Sequence, residues 1–148
     1  MIKKFNSGRE FMGALEEGDD LLEQLTEFVQ EKEIEAGVLK VIGAVKKAKI
    51  GYYDQEQQVY KYKEFPSHLE IASCIGNISL HQGEPMIHAH IVLADEEGNT
   101  YSGHLAEGTT VFVSEVYIRE LTGNELQRNK DESRGLDLWL ESTTTPKS

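Results

Sequence analysis

Apolar and polar positions change their period along the chain, and each change marks a new element. Leu21, Leu22, Leu25, Phe28 and Val29 follow the i, i+4, i+7, i+8 spacing of one helical face. Asp19 or Asp20 is placed to cap the N-terminus of that helix, and Asp20 with Glu23 fits a capping box. Glu23, Glu27 and Glu31 form its solvated side. The helix is expected to stop near Glu33, because Gly37 and the β-branched run behind it favour extension.

Before the helix, residues 2–5 and 10–15 read as two short strands paired through a turn at Ser7-Gly8. After it the period becomes that of strands. Residues 38–42 form a buried strand, Gly43-Ala44 a corner or bulge, and residues 46–53 a second strand. A polar turn at 54–58 leads into a third strand, residues 59–65, which Pro66 ends. Leu69, Ile71 and Ile75 lie on one phase, whereas Ile78 and Leu80 lie on the other. The flip predicts a bulge or bend at Gly76-Asn77. Gln82-Gly83-Glu84 is the next turn. Residues 109–121 carry apolar side chains on both faces and read as a central strand, and residues 126–128 and 136–140 as two short final ones. The predicted fold class is α+β: a sheet of many mostly antiparallel strands with one long helix packed on it. Residues 1–141 form a single domain, and residues 142–148 a flexible polar tail.

Chemistry enters at the histidines. The chain has five. His88 and His90, spaced i, i+2 on a strand, leave the same face, while Ile87, Ile91 and Leu93 take the other. A hairpin loop at 95–99 closing on Ala94 and Thr100 sets His90 opposite His104 and Val92 opposite Ser102. The same register puts Tyr101 and Leu105 on the core face, so the apolar pattern supports it independently. Three converging imidazoles repel one another when protonated and need partners when buried. A divalent transition metal meets both demands, and zinc, copper, iron and nickel all take neutral imidazole. Three histidines with one open position form the ligand set of catalytic rather than closed structural zinc sites. The alternative is a row of half-exposed histidines on a polar strand face. Asp95 and Glu107 rank below ordinary surface charge as further ligands, and His68 and His81 are surface or loop residues.

Composition narrows the partners. Fifteen Lys and Arg against 26 Asp and Glu give a formal net charge of −11 in 148 residues. Broad binding to phosphate backbones or anionic membranes is disfavoured. Lys40, Lys46, Lys47 and Lys49 form the one dense basic stretch, with Lys61 and Lys63 nearby; a solvated face balancing acids accounts for them. The single cysteine, Cys74, excludes an intramolecular disulfide. No apolar signal region follows the first eight residues, and residues 86–94 are too short to span a bilayer, so a cytoplasmic location is expected.

Several motifs, in order, resemble the plant and prokaryote conserved (PPC) domain. They are Gly18-Asp19-Asp20-Leu21, Ile42-Gly43-Ala44, Gly51-Tyr52-Tyr53, the run from Leu69 to Leu80, His88-Ala89-His90-Ile91-Val92-Leu93-Ala94-Asp95 and Gly103-His104-Leu105. The resemblance runs from about Phe5 to Leu140. It implies an α+β, sandwich-like fold built on a major antiparallel sheet, a homotrimer, and a metal site, usually zinc, on His88, His90 and His104. In plants this domain follows AT-hook motifs in nuclear proteins, and prokaryotic copies inherited a DNA-binding label. Here no Arg-Gly-Arg-Pro-like core occurs, and the plant Gly-Arg-Phe-Glu-Ile-Leu segment reads Ser67-His68-Leu69-Glu70-Ile71-Ala72.

Three functions compete. One is a regulatory or ligand-binding trimer holding zinc and a small ligand at a subunit boundary. Another is a metalloenzyme using an open three-histidine site. The third is the DNA-binding role of the family label. A cupin site is disfavoured because no glutamate follows His90 at the spacing that pattern needs. No P-loop, dinucleotide glycine motif or serine triad appears.

Overall fold

A computed structural model describes residues 1–140; the predicted tail, residues 142–148, lies outside the described residues. In chain order the elements are β1 (Asn6–Gly13), α1 (Leu21–Glu31), β2 (Gly37–Asp54), β3 (Val59–Phe65), β4 (Leu69–His81), β5 (Glu84–Ala94), β6 (Thr100–Leu105), β7 (Thr110–Thr122), β8 (Gln127–Asp131) and β9 (Leu136–Trp139). The fold is α+β and dominated by its sheet. Among the described residues no helix is long and apolar enough to cross a membrane.

The helix forms where its apolar spacing predicts. Asp20 caps it, with Oδ1 accepting from the backbone of Leu22 and Glu23 at 3.0 Å. Its Oδ2 accepts from Gly108 N at 2.7 Å, which ties the helix start to the loop behind β6. Leu21, Leu25 and Val29 are fully buried. The helix closes in a Schellman motif, with Glu33 N donating to Gln30 O and Ile34 N to Val29 O. Glu33 adopts φ 52° at the left-handed position where glycine is usual.

The strands join one nine-stranded sheet in the order β1-β7-β2-β6-β5-β4-β8-β9, with β3 paired to β2. Every pairing is antiparallel except β4 with β8. The central device is β2. Its first part pairs with β4 and its last part, at Ile50 and Gly51, with β6. Because β4 also pairs with β5, and β5 with β6, these four strands close a ring. The sandwich-like layering expected from the resemblance takes the form of one sheet curling onto itself. Leu39, Val41, Val45, Ile71, Cys74, Ile78, Ile91, Leu93 and Leu105 fill its inner side. Burial pushes the Cys74 thiol up to about 12.

Three local expectations need correction. Residues 2–5 form no strand with 10–15; β1 is one strand, irregular between Ser7 and Glu10, and pairs with β7. The segments 38–42 and 46–53 are a single strand, bent rather than broken by the bulges around Gly43. Gly43 has φ 139°, and a Cβ there would lie 2.1 Å from the Val113 carbonyl oxygen. In β4 the phase flips between Ile71 and Ser73, not at Gly76-Asn77. This leaves Ile75 exposed and turns Cys74 inward. Strand β7 is flanked by β1 and β2 as a non-edge strand, yet Phe112 and Val113 remain exposed.

Candidate metal centre

The histidines lie on the outer face of the ring. Directly paired residues point to the same side of a sheet, so one row runs Tyr117, Lys40, Ile75, His90, His104 across five strands. The adjacent row carries Arg119, Val38, Asn77 and His88. The expected register of β5 and β6 is present, with His90 opposite His104 and Val92 opposite Ser102. It arises because Ile87, Ile91, Leu93 and Leu105 are all drawn into the core. The loop that sets it is closed by Asp95, whose carboxylate accepts from the backbone of Glu97 and Asn99, from the Asn99 amide and from the Tyr101 hydroxyl.

Each of the three imidazoles offers one nitrogen within 4.8 Å of the others. The ring centroids lie 5.2 Å apart for His88 and His90, 5.0 Å for His88 and His104, and 5.8 Å for His90 and His104. His88 and His104 are half-buried, whereas His90 is exposed and opens the cluster to solvent. Burial pushes His88 down to about 4, helped by His104, Arg128 and His90. Burial, then the neighbouring His90 and Arg128, also lowers His104. Both rings are therefore neutral at physiological pH, the form that ligates a metal. Nδ1 of His104 is buried with no hydrogen-bond partner among the described residues. An orphaned imidazole nitrogen in a cluster of three imidazoles fits a soft or borderline divalent cation.

The surroundings include residues that local pattern could not single out. Tyr60 of β3 packs on His104 with centroids 5.0 Å apart. Gly51 makes room for this, since a Cβ there would lie 3.2 Å from the rings of Tyr60 and Tyr62 and 3.5 Å from His104 Cβ. Arg128 of β8 reaches the cluster from a distant part of the chain. Its Nη2 donates to Asn77 Oδ1 at 3.0 Å and stands 3.5 Å from His88 Nδ1. Nothing in the spacing around Arg128 marks it, because a strand pairing across the sheet brings it there.

Other candidates lie elsewhere. Asp95 closes its own loop, and Glu107 is exposed outside the cluster. His68 is exposed, and His81 stands 3.7 Å from Asp137. The basic stretch is largely engaged. Lys46 pairs with Glu17 and Lys61 with Asp54, each at 2.6 Å. Lys49 lies over the Tyr62 ring, and Lys63 over Phe65 and Tyr101. Lys40 and Lys47 are exposed.

The sequence pattern of the Plants and Prokaryotes Conserved (PCC) domain matches residues 2–122. A metal-containing protein from Archaeoglobus fulgidus is 42% identical with a TM-score of 0.90, over 95% of this chain and 99% of that one. A plant- and prokaryote-conserved protein from Pyrococcus horikoshii is 39% identical with a TM-score of 0.90, over 95% and 98%. A protein from Ralstonia eutropha whose name carries a provisional DNA-binding assignment is 26% identical with a TM-score of 0.75, over 86% and 88%. The bifunctional protein GlmU of a Synechococcus strain is 29% identical over 136 residues, which is 88% of this chain and 21% of that protein. The chain thus spans about a fifth of the length of the curated relatives it matches.

Proposed function

The chain belongs to the Plants and Prokaryotes Conserved domain family, and from that premise we propose that it is a homotrimeric, cytoplasmic metal-binding module. In this reading His88, His90 and His104 hold one divalent transition metal, zinc before others. One observation carries it: three imidazoles converge within 4.8 Å on one open face, and one of them buries an unpartnered nitrogen. The Archaeoglobus protein, 42% identical, is itself named as metal-containing. His88, His90 and His104 would hold the ion, and zinc there would supply Lewis-acid polarisation of a small ligand.

The role is binding and regulation rather than turnover. Among the described residues no carboxylate joins the three histidines as a further ligand within 4.8 Å. Asp95, on the loop between β5 and β6, is spent on that loop. The DNA-binding name of the Ralstonia relative gains little support here, because the net charge is −11 and Lys46 and Lys61 are paired with acids.

Assembly into a trimer is supported by the exposed apolar side chains of the sheet. Ile42, Ile75, Phe112 and Val113 are each more than half exposed, a display that self-association would cover. Ile75 pairs with His90, so an interface covering Ile75 brings a second copy to the edge of the metal site. A buried lone thiol suits a reducing compartment.

Elemental analysis of purified protein tests the metal, with about one ion per chain expected. Protein that holds no metal and takes up none from added zinc refutes the reading. Light scattering tests the assembly, with three times the 16.7 kDa chain mass expected; a monomer refutes that part alone.

A further inference from the structure

The C-terminal hairpin of β8 and β9 lies beyond the residues matched by the family pattern, and it forms a strap over the histidine face. At one end β8 pairs in parallel with Leu80 and His81 of β4. At the other, its turn is held by the β2–β3 hairpin. There the Tyr53 hydroxyl donates to Arg134 O, and Gln58 Nε2 donates to Ser133 O at 2.8 Å. Arg128 sits between these anchors and is only 8% exposed.

A buried guanidinium is costly unless its charge is met, and here its contacts are all neutral. Nε donates to Ser79 Oγ at 3.0 Å, Nη1 to Asp137 O at 3.2 Å, and Nη2 to Asn77 Oδ1 at 3.0 Å. The remaining contact of Nη2 is His88 Nδ1, at a long 3.5 Å. Trp139 covers the group, its ring centroid 4.9 Å from the guanidinium carbon. Among the described residues no carboxylate forms a salt bridge with Arg128; that of Asp137 stands 3.7 Å from His81 instead. Nη1 carries two N–H groups and spends one. Imidazole ligands carry no negative charge, so the three histidines would leave a divalent ion's charge unmet. The site therefore sets a buried guanidinium beside the three histidines, with no carboxylate in a salt bridge to it among the described residues.

We propose that this is an oxyanion site, in which Arg128 holds a small carboxylate or phosphate against the metal centre. The inference rests on the metal reading above. Arg128 acts as the charged arm of the site, and Asn77 and Ser79 aim it. The unspent N–H of Nη1, with the Nη2 N–H that makes only the long contact to His88, can meet either kind of oxyanion, and the neighbouring metal would supply the second point of attachment.

The test uses the full chain loaded with cobalt(II), whose visible absorption reports the ligands of the ion. Acetate and inorganic phosphate are titrated separately, which decides between the two sources of the anion. At least one is expected to shift the spectrum in a saturable way. Arg128→Met is expected to weaken that anion by about tenfold or more while cobalt content stays unchanged. Should Arg128→Met fail to fold, Arg128→Lys keeps the charge but loses the fork, and it must also weaken the anion without loss of cobalt. A wild-type spectrum indifferent to both anions overturns the proposal, as does equal anion affinity in the folded variant. Failure of cobalt to bind at all is a different result and counts against the metal reading itself.

Discussion

His90 stands directly opposite His104 across the β5–β6 ladder, their ring centroids 5.8 Å apart. A directly opposed pair on two hydrogen-bonded strands is a rigid two-point clamp, and His88 adds a third point from two residues away. Replacing any one of the three with alanine is expected to reduce bound zinc from about one ion per chain to a small fraction. Wild-type protein should melt at a higher temperature when zinc is added, and the three variants should not. Calorimetry with and without zinc, beside elemental analysis, checks this; an alanine variant that retains its ion removes that histidine from the site.

Glu33 occupies the left-handed position of the helix C-cap, where a side chain costs about 1 kcal/mol or more. Ile34, fully buried, keeps the motif in place. Glu33→Gly should stabilise the protein by about 0.5 kcal/mol, after the added flexibility of glycine in the unfolded chain is set against the relief. Thermal melts of the two proteins decide the sign, and a lower melting temperature for the variant contradicts it.

Gly43 works the other way. An added methyl group would meet the Val113 carbonyl oxygen at 2.1 Å, at a φ of 139° that other residues avoid. Gly43→Ala is expected to cost about 3 kcal/mol or more, since both the backbone angle and the β2–β7 contact must give. Urea titration of the variant measures it; a loss below about 1 kcal/mol would mean that the bulge adjusts freely.

Glu120 links the N-terminal strand to the rest of the sheet. Its Oε2 accepts from Arg9 Nε at 2.8 Å and its Oε1 from Arg9 Nη2 at 2.7 Å. The side-chain hydrogen bond from Arg9 holds the carboxyl below its usual 4.5. A carboxyl that ionises more readily in the folded chain contributes stability above its unfolded pKa. That contribution declines as the pH falls below 4.5 and through the lower folded value. Wild type should therefore be more stable than Glu120→Gln at neutral pH, with the difference vanishing in acid. Denaturation of both proteins across that range gives the comparison, and a gap that persists in acid assigns the effect to packing instead.

Elements set by neighbouring residues were legible in the sequence. The helix and its Asp20 cap follow from apolar spacing and a local hydrogen bond. The β5–β6 register follows from parity, since a slip by one residue would turn Ile91 and Leu93 outward along with the whole strand. What lay beyond reach depends on distant partners. Residues 2–5 and 10–15 look like a hairpin locally, yet β7 offers β1 a longer ladder from the other end of the domain. The bulge after Ile71 carries no glycine to mark it, whereas Gly76 invites one that does not form. Gly76 instead lies close to its partner strand, where a Cβ would come within 2.7 Å of the Ala89 side chain. Arg128 enters the candidate site only because a final hairpin folds over the sheet.

The pairing of Asn6 with Thr122 and of Gly13 with Val116 has a consequence for how the chain comes into being. During synthesis β1 emerges first and stays without its partner until β7 has left the ribosome. Ring closure likewise needs β6, and the strap over the histidines needs β8 and β9. The sheet therefore closes only after its C-terminal strands are made, and such dominance of long-range pairing makes folding slow. A product truncated before Thr110 would carry β1 and one edge of β2 as bare strand edges, open to pairing between molecules.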